Sequence, residues 1–206
     1  MKTFSMLLIA ALVLGSSPAW SQGDEGTPGT QDQTRERVME RIENDPTLDA
    51  GQRERMRENL RQCEQLGLAP DELNALFPDG SPGYSPQARL RIQEQVMTLA
   101  HEGRPVDLIC DKMDEGRLKG ASEPAMTRVT EQVAENLRFA HRYLQQAQNE
   151  GIKGPNNPAQ QQHLERGVAL DRWRGLEEGE FDQLRDRARD RARVGDCDLT
   201  DLCAAA

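Results

Sequence analysis

Aromatic residues are scarce, with two tryptophans, two tyrosines and four phenylalanines among 206 positions. Hydrophobic residues make up only 36% of the chain, so any core must be thin and built mostly from Leu, Val, Met and Ala. Alternating apolar and polar stretches are absent, which argues against half-buried strands. Beyond the N-terminus, no apolar run approaches the roughly 20 residues that cross a bilayer. Catalytic signatures of recognisable spacing are missing too: there is no Gly-x-Ser-x-Gly elbow, phosphate loop, His-Glu-x-x-His helix or dinucleotide fingerprint. Histidine occurs at positions 101, 141 and 163 only, and none has a second His or Cys three or four residues away on the same helix face. No catalytic residue, metal ligand or cofactor site is therefore nominated.

What is present begins with an export signal. Lys2 precedes an apolar run from Phe4 to Leu14, and Gly15, Ser16, Ser17, Pro18 and Ala19 follow. That order of basic, apolar and small residues is a secretory signal peptide, 1–21, with cleavage expected after Ser21. The expected location is periplasmic or secreted, with no membrane insertion after cleavage. Loss of Lys2 with the leader leaves 25 basic against 35 acidic residues, a net charge of −10. Such a chain approaches a polyanion against its own field, which excludes nucleic acid as a natural partner.

Residues 22–34 (QGDEGTPGTQDQT) contain nothing apolar to bury and are expected to form a disordered linker. Residues 35–203 read as a single helical domain, and 204–206 as a disordered tail. Helical stripes recur through the domain: Val38 and Ile42; Met56, Leu60 and Cys63; Ala88, Ile92, Val96 and Leu99; Val106, Cys110 and Met113. The clearest runs from Met126 through Val129, Val133, Leu137, Ala140 and Leu144 to Ala147. Later stripes hold Leu164, Val168, Trp173 and Leu176, then Phe181, Leu184, Ala188 and Ala192, with a break expected at Gly175 and Gly179. Gly/Pro/Asn-rich loops at 77–86 and 151–158 interrupt the helices. The expected fold is all-α, an irregular multi-helix bundle or helical-hairpin array, open rather than compact.

Several local features invite a functional reading. Leu48, Asp49, Ala50, Gly51 and Gln52 read as a helix start, with Asp49 as N-cap and Gln52 reaching back. The same residues resemble the Leu-Thr-x-x-Gln motif of Spy-type periplasmic chaperones, with Asp49 in place of threonine. Further on, Lys112-Met113-Asp114-Glu115-Gly116-Arg117-Leu118-Lys119-Gly120 is similar to a Lys-x-x-Glu-Gly-x-x-Lys-Gly segment of uncharacterised exported helical proteins of bacteria, a likeness covering about fifty residues from His101 to Gly151. That likeness implies helical architecture and export, and marks Lys112, Glu115, Gly116, Lys119 and Gly120 as a possible interaction segment. Physically, Gly120 suits a left-handed helix end and Ser122 an N-cap. Gly116 within a helix costs about 1 kcal/mol relative to Ala, which asks for close packing or room for a ligand.

Methionines at 39, 56, 97, 113 and 126 fall on or beside the stripes and read as core filling. Asp182, Asp186 and Asp190 each precede an arginine by three, the pattern of an exposed helix laced by ion pairs. Four cysteines in an exported chain imply two disulfides. The expected pairing is Cys63 with Cys110 and Cys197 with Cys203, the latter flanking a five-residue turn. Taken together, these readings point to a non-enzymatic protein-binding or envelope-structural module with a protein partner in the cell envelope. The alternatives are a periplasmic stress chaperone or metal-responsive binder, favoured by an apolar groove of Met and Leu, and a hydrolase, favoured by His141 or His163 in a pocket beside a carboxylate.

Overall fold

The computed structural model describes residues 28–78, 83–155 and 157–192. Among them are eight helices and no strand: α1 (Pro28–Asn44), α2 (Ala50–Gln65), α3 (Pro70–Leu76), α4 (Pro86–His101), α5 (Asp107–Leu118), α6 (Glu123–Asn149), α7 (Pro158–Trp173) and α8 (Glu178–Ala192). None is long and apolar enough to cross a membrane. The fold is the expected all-α, multi-helix one.

Helix starts are encoded locally. At α2, Gln52 N–H donates to Asp49 Oδ1 (2.8 Å) and Asp49 N–H to Gln52 Oε1 (2.9 Å), the reciprocal pair that the sequence announces. Ser85 and Asn157 cap α4 and α7 through their side chains, each ahead of a proline in the first turn. Ser122 stands at the N-cap position of α6 but makes no side-chain capping bond. The adjacent Glu123 carboxylate instead accepts from the backbone N–H of Ser85 (2.6 Å) and from its hydroxyl (3.1 Å), tying α6 to the start of α4.

Five helix ends share one geometry. In α2, α4, α5, α6 and α7 a glycine of positive φ follows the C-cap, and the next residue donates back five positions. At α5, for example, Gly120 N–H bonds Arg117 O (3.0 Å) and Ala121 N–H bonds Gly116 O (2.8 Å). This motif satisfies carbonyls that a helix end otherwise leaves unpaired. The glycines that look in the sequence like helix starts, Gly67 and Gly103, are thus ends of the preceding helices. Gly175 ends α7, whereas Gly179, expected in the same break, lies inside the first turn of α8.

Helix α6, 27 residues long, is the central packing element. Met126, Val133, Leu137, Ala140, Leu144 and Ala147 are buried along one face, with Val129 partly so. It contacts α4, α5 and α7, while α1, α2 and α3 gather beside α4 and α5. Phe181 of α8 meets the rings of Phe139 and Tyr143 at 5.2 and 5.3 Å, and Tyr143 Oη donates to its carbonyl at 3.0 Å. All eight helices contribute to one contiguous buried cluster, from Val38 to Ala188. That replaces the expected open array: Leu and Ala side chains, with Met56, Met97, Met113 and Met126 among them, fill the interior without aromatics.

Two further expectations change. Helix α1 begins at Pro28, inside the segment read as a disordered linker, because Thr34 lies one turn ahead of Val38 on the same face. Thr34 is buried, and its hydroxyl donates to Thr30 O at 2.9 Å. The Cys63–Cys110 disulfide is not formed; both are buried free thiols. Cys110 Sγ is turned toward the backbone of α3, 4.0 Å from Glu72 O. Cys197 and Cys203, with the leader, lie outside the described residues.

Candidate functional site

The segment singled out by its Lys-Glu-Gly pattern is occupied with itself. Glu115 accepts from Lys112 Nζ (2.7 Å) and Lys119 Nζ (2.5 Å), one turn away on either side. Those hydrogen bonds hold its carboxyl down at about 2. Lys112 also lies over the Trp173 ring, 5.4 Å from its centroid. Gly116 faces Met126, whose Cε occupies the space a Cβ would need. Close helix packing, not room for a ligand, is what Gly116 serves.

His101 and His163 are exposed, whereas His141 is half-buried in a network. Glu165 on α7, 1% exposed, receives three donors on Oε1: Arg104 Nη1 at 2.6 Å, His141 Nδ1 at 2.8 Å and Gln161 Nε2 at 3.0 Å. Arg104 sits in the α4–α5 turn and His141 on α6, so one buried carboxylate joins three parts of the fold. Among the described residues no serine, threonine or cysteine bonds to the His141 ring, and no group of three or more His, Cys, Asp and Glu could hold a metal ion. A polar cleft of about 550 Å³ nearby includes Arg104, Asp107, His163 and Arg166. Its charges are engaged with one another: Arg166 pairs with Asp107 and Asp111, and Arg104 with Glu165.

A different site is more enclosed. Between the α1–α2 turn, α2, the end of α3 and α4 lies a chamber of about 190 Å³. Ile42, Leu48, Met56, Leu76 and Phe77 form its apolar walls, each at most 4% exposed. Arg41, Asp45, Arg89 and Gln93 supply its polar lining. Local sequence explains Asp45: in Asp45-Pro46-Thr47 its Oδ1 accepts from Thr47 N–H (2.9 Å) and Thr47 Oγ1 (2.6 Å), a side-chain turn that starts the approach to α2. Oδ2 accepts from Arg89 Nη1 at 2.6 Å, and Arg89 Nη2 donates to Thr47 Oγ1 at 2.9 Å. Both side chains of this ion pair are 10% exposed. Burial pushes the Asp45 carboxyl up, but the Thr47 and Arg89 hydrogen bonds outweigh it and hold it below the usual carboxylate range.

The chamber's floor is the C-terminal end of α3, and it is capped from outside the helix. Arg117 Nη1 donates to Ala75 O (2.9 Å), Gln93 Nε2 to Leu76 O (3.3 Å) and Arg41 Nη1 to Phe77 O (2.8 Å). Gln93 is held in turn by Asn59, whose Nδ2 donates to its Oε1 at 2.9 Å. Cations at the negative end of a helix dipole are stabilising, so these arginines have a structural role as well as a place at the chamber.

Sequence reasoning missed this site because its charged members are 44 positions apart, at 45 and 89, and each reads alone as a helix-surface charge. The single local signal is the Asp-Pro-Thr turn beside an apolar stripe. No protein-family model matches the chain, and comparison with curated proteins and with solved structures finds no significant match.

Proposed function

We propose that the chain is an exported binding protein, and that its ligand enters the Arg41–Arg89 chamber. The observation that carries this reading is an enclosed apolar space walled by Ile42, Leu48 and Met56 beside two guanidiniums and a nearly buried carboxylate. Enclosed apolar cavities with a few placed polar groups are the usual form of small-molecule sites. The leader-like N-terminus supports export. A Spy-type chaperone role has less to rest on: among the described residues Leu118 is the one large hydrophobic side chain that stands exposed, while Leu48 and Met56 turn into the chamber.

The experiment is methyl NMR of the folded chain with toluene as an apolar probe. Toluene should shift the Met56 ε-methyl and the Leu48 methyls, and Leu48→Trp, which fills the chamber, should abolish the effect. Unchanged methyl positions for Ile42, Leu48 and Met56 at saturating toluene sink the reading. A hydrolase is the second reading, favoured by the 2.8 Å His141–Glu165 contact. It requires turnover of a chromogenic ester that disappears in His141→Gln.

A further inference from the structure

The chamber's charge is opposite to that of the chain around it. The sequence as a whole carries −9, yet the lining sets two guanidiniums, Arg41 and Arg89, against the single carboxylate of Asp45, a local balance of +1. Asp45 has little left to offer a ligand, since it already accepts from Thr47 N–H, Thr47 Oγ1 and Arg89 Nη1. Arg89 is in the reverse position. Its Nη atoms are engaged, but its buried Nε has no acceptor in the chain. Buried donors are nearly always satisfied, and one that the protein leaves unmet beside a cavity asks for an acceptor from elsewhere.

Resting on the reading of the chamber as a ligand site, we propose that its ligand is a small monocarboxylate with an apolar body about the size of a benzene ring. One negative charge neutralises the lining, whereas a dianion leaves excess charge in an enclosed site and a cation meets two guanidiniums. A planar carboxylate matches the guanidinium fork, which delivers parallel N–H donors. The size follows from the space. An engineered apolar cavity of about 150 Å³ in another protein takes benzene, and this chamber, at about 190 Å³, has room for one ring or a short branched chain beside Ile42, Leu48 and Met56, with the carboxylate toward Arg89.

The test compares three probes of one shape on the folded chain at pH 7 and low salt: 3-phenylpropionate, 3-phenylpropanamide and 3-phenylpropylamine, titrated by methyl NMR. The carboxylate should shift the Met56 and Leu48 methyls and bind at least about tenfold more tightly than the amide or the amine, the difference of one charge-assisted contact. Arg89→Gln should bring the carboxylate down to the affinity of the amide. Because that change strands Asp45, the double variant Asp45→Asn with Arg89→Gln keeps the site paired and should show the same loss. Equal binding of amide and carboxylate, or undiminished carboxylate binding in the double variant, overturns the inference. If toluene still moves Met56 in that event, the chamber reading stands; if none of the probes moves it, both fall together.

Discussion

Replacing Gly116 by alanine sets two effects of similar size against each other. Alanine in a helix interior is favoured over glycine by about 1 kcal/mol, and Gly116 lies in α5 with ordinary helical backbone. The added methyl, however, would overlap Met126 Cε outright, with Met126 Sδ at 3.4 Å and Ala121 Cβ at 3.6 Å. Met126 is flexible, but it is 1% exposed and cannot swing into solvent. Forcing a methyl into a packed interior costs about 1–3 kcal/mol, so Gly116→Ala should be destabilising by about 1 kcal/mol, lowering the melting temperature by roughly 2–4 °C. The discriminating measurement is a double-mutant cycle by urea unfolding. Met126→Ala alone should cost about 2–5 kcal/mol. In that background Gly116→Ala should become favourable by about 1 kcal/mol, a coupling of about 2 kcal/mol. If Gly116→Ala stabilises the unaltered chain, or the two changes simply add, Met126 does not confine this position and the packing argument fails.

Glu165→Ala removes the shared acceptor of Arg104 and His141 from a nearly dry site, and loss of one partner of a buried pair costs about 3–5 kcal/mol; a shift of the urea midpoint worth less than about 1 kcal/mol would show the network to be well solvated. Asp45 is held below its unfolded-state pKa of about 3.9, so its ionised form contributes stability that is complete above that value and drains away as pH falls below about 4. The stability gap between the unaltered chain and Asp45→Asn should therefore be constant above pH 5 and shrink in acid, and a gap that persists to pH 2 refutes it. For the thiols, burial pushes Cys63 up to about 12 and Cys110 upward as well. From a reference of 9.0 that leaves Cys63 about a thousandfold less thiolate at neutral pH, so iodoacetamide should modify both only after unfolding. A peptide cross-linked between positions 63 and 110 in freshly isolated protein overturns their description as free thiols.

Features written within one turn of helix were legible in the sequence, and those assembled across it were not. The Asp49–Gln52 capping box and the Met126–Ala147 stripe depend on neighbours three or four positions apart, so spacing alone was enough to read them. Gly67 and Gly103 were read as helix starts because a glycine between two helices marks a boundary without saying which side owns it; only the bonds of Leu68 N–H to Cys63 O and Arg104 N–H to Leu99 O assign them to the preceding helices. The charge lacing of α8 was visible, but its second use was not. Arg185 and Arg189, besides pairing with Asp182 and Asp186, reach Glu150 at the end of α6, at 3.3 and 3.5 Å. Likewise the Asp45–Arg89 pair needs α1 and α4 brought side by side, which no local pattern encodes.

The outside capping of α3 bears on the order in which the chain folds. A helix of seven residues is far below the roughly 12–15 at which isolated helices become even marginal in water. The carbonyls at its end are held by Arg41, Gln93 and Arg117, from α1, α4 and α5. Helix α3 can therefore persist only once those three helices have docked, and it should consolidate late, after α6 has organised its neighbours. In native-state hydrogen exchange its amides and those of the last turn of α1 should open as one unit, with Arg41→Ala accelerating both. Independent exchange of the two segments would show that α3 holds its shape by itself.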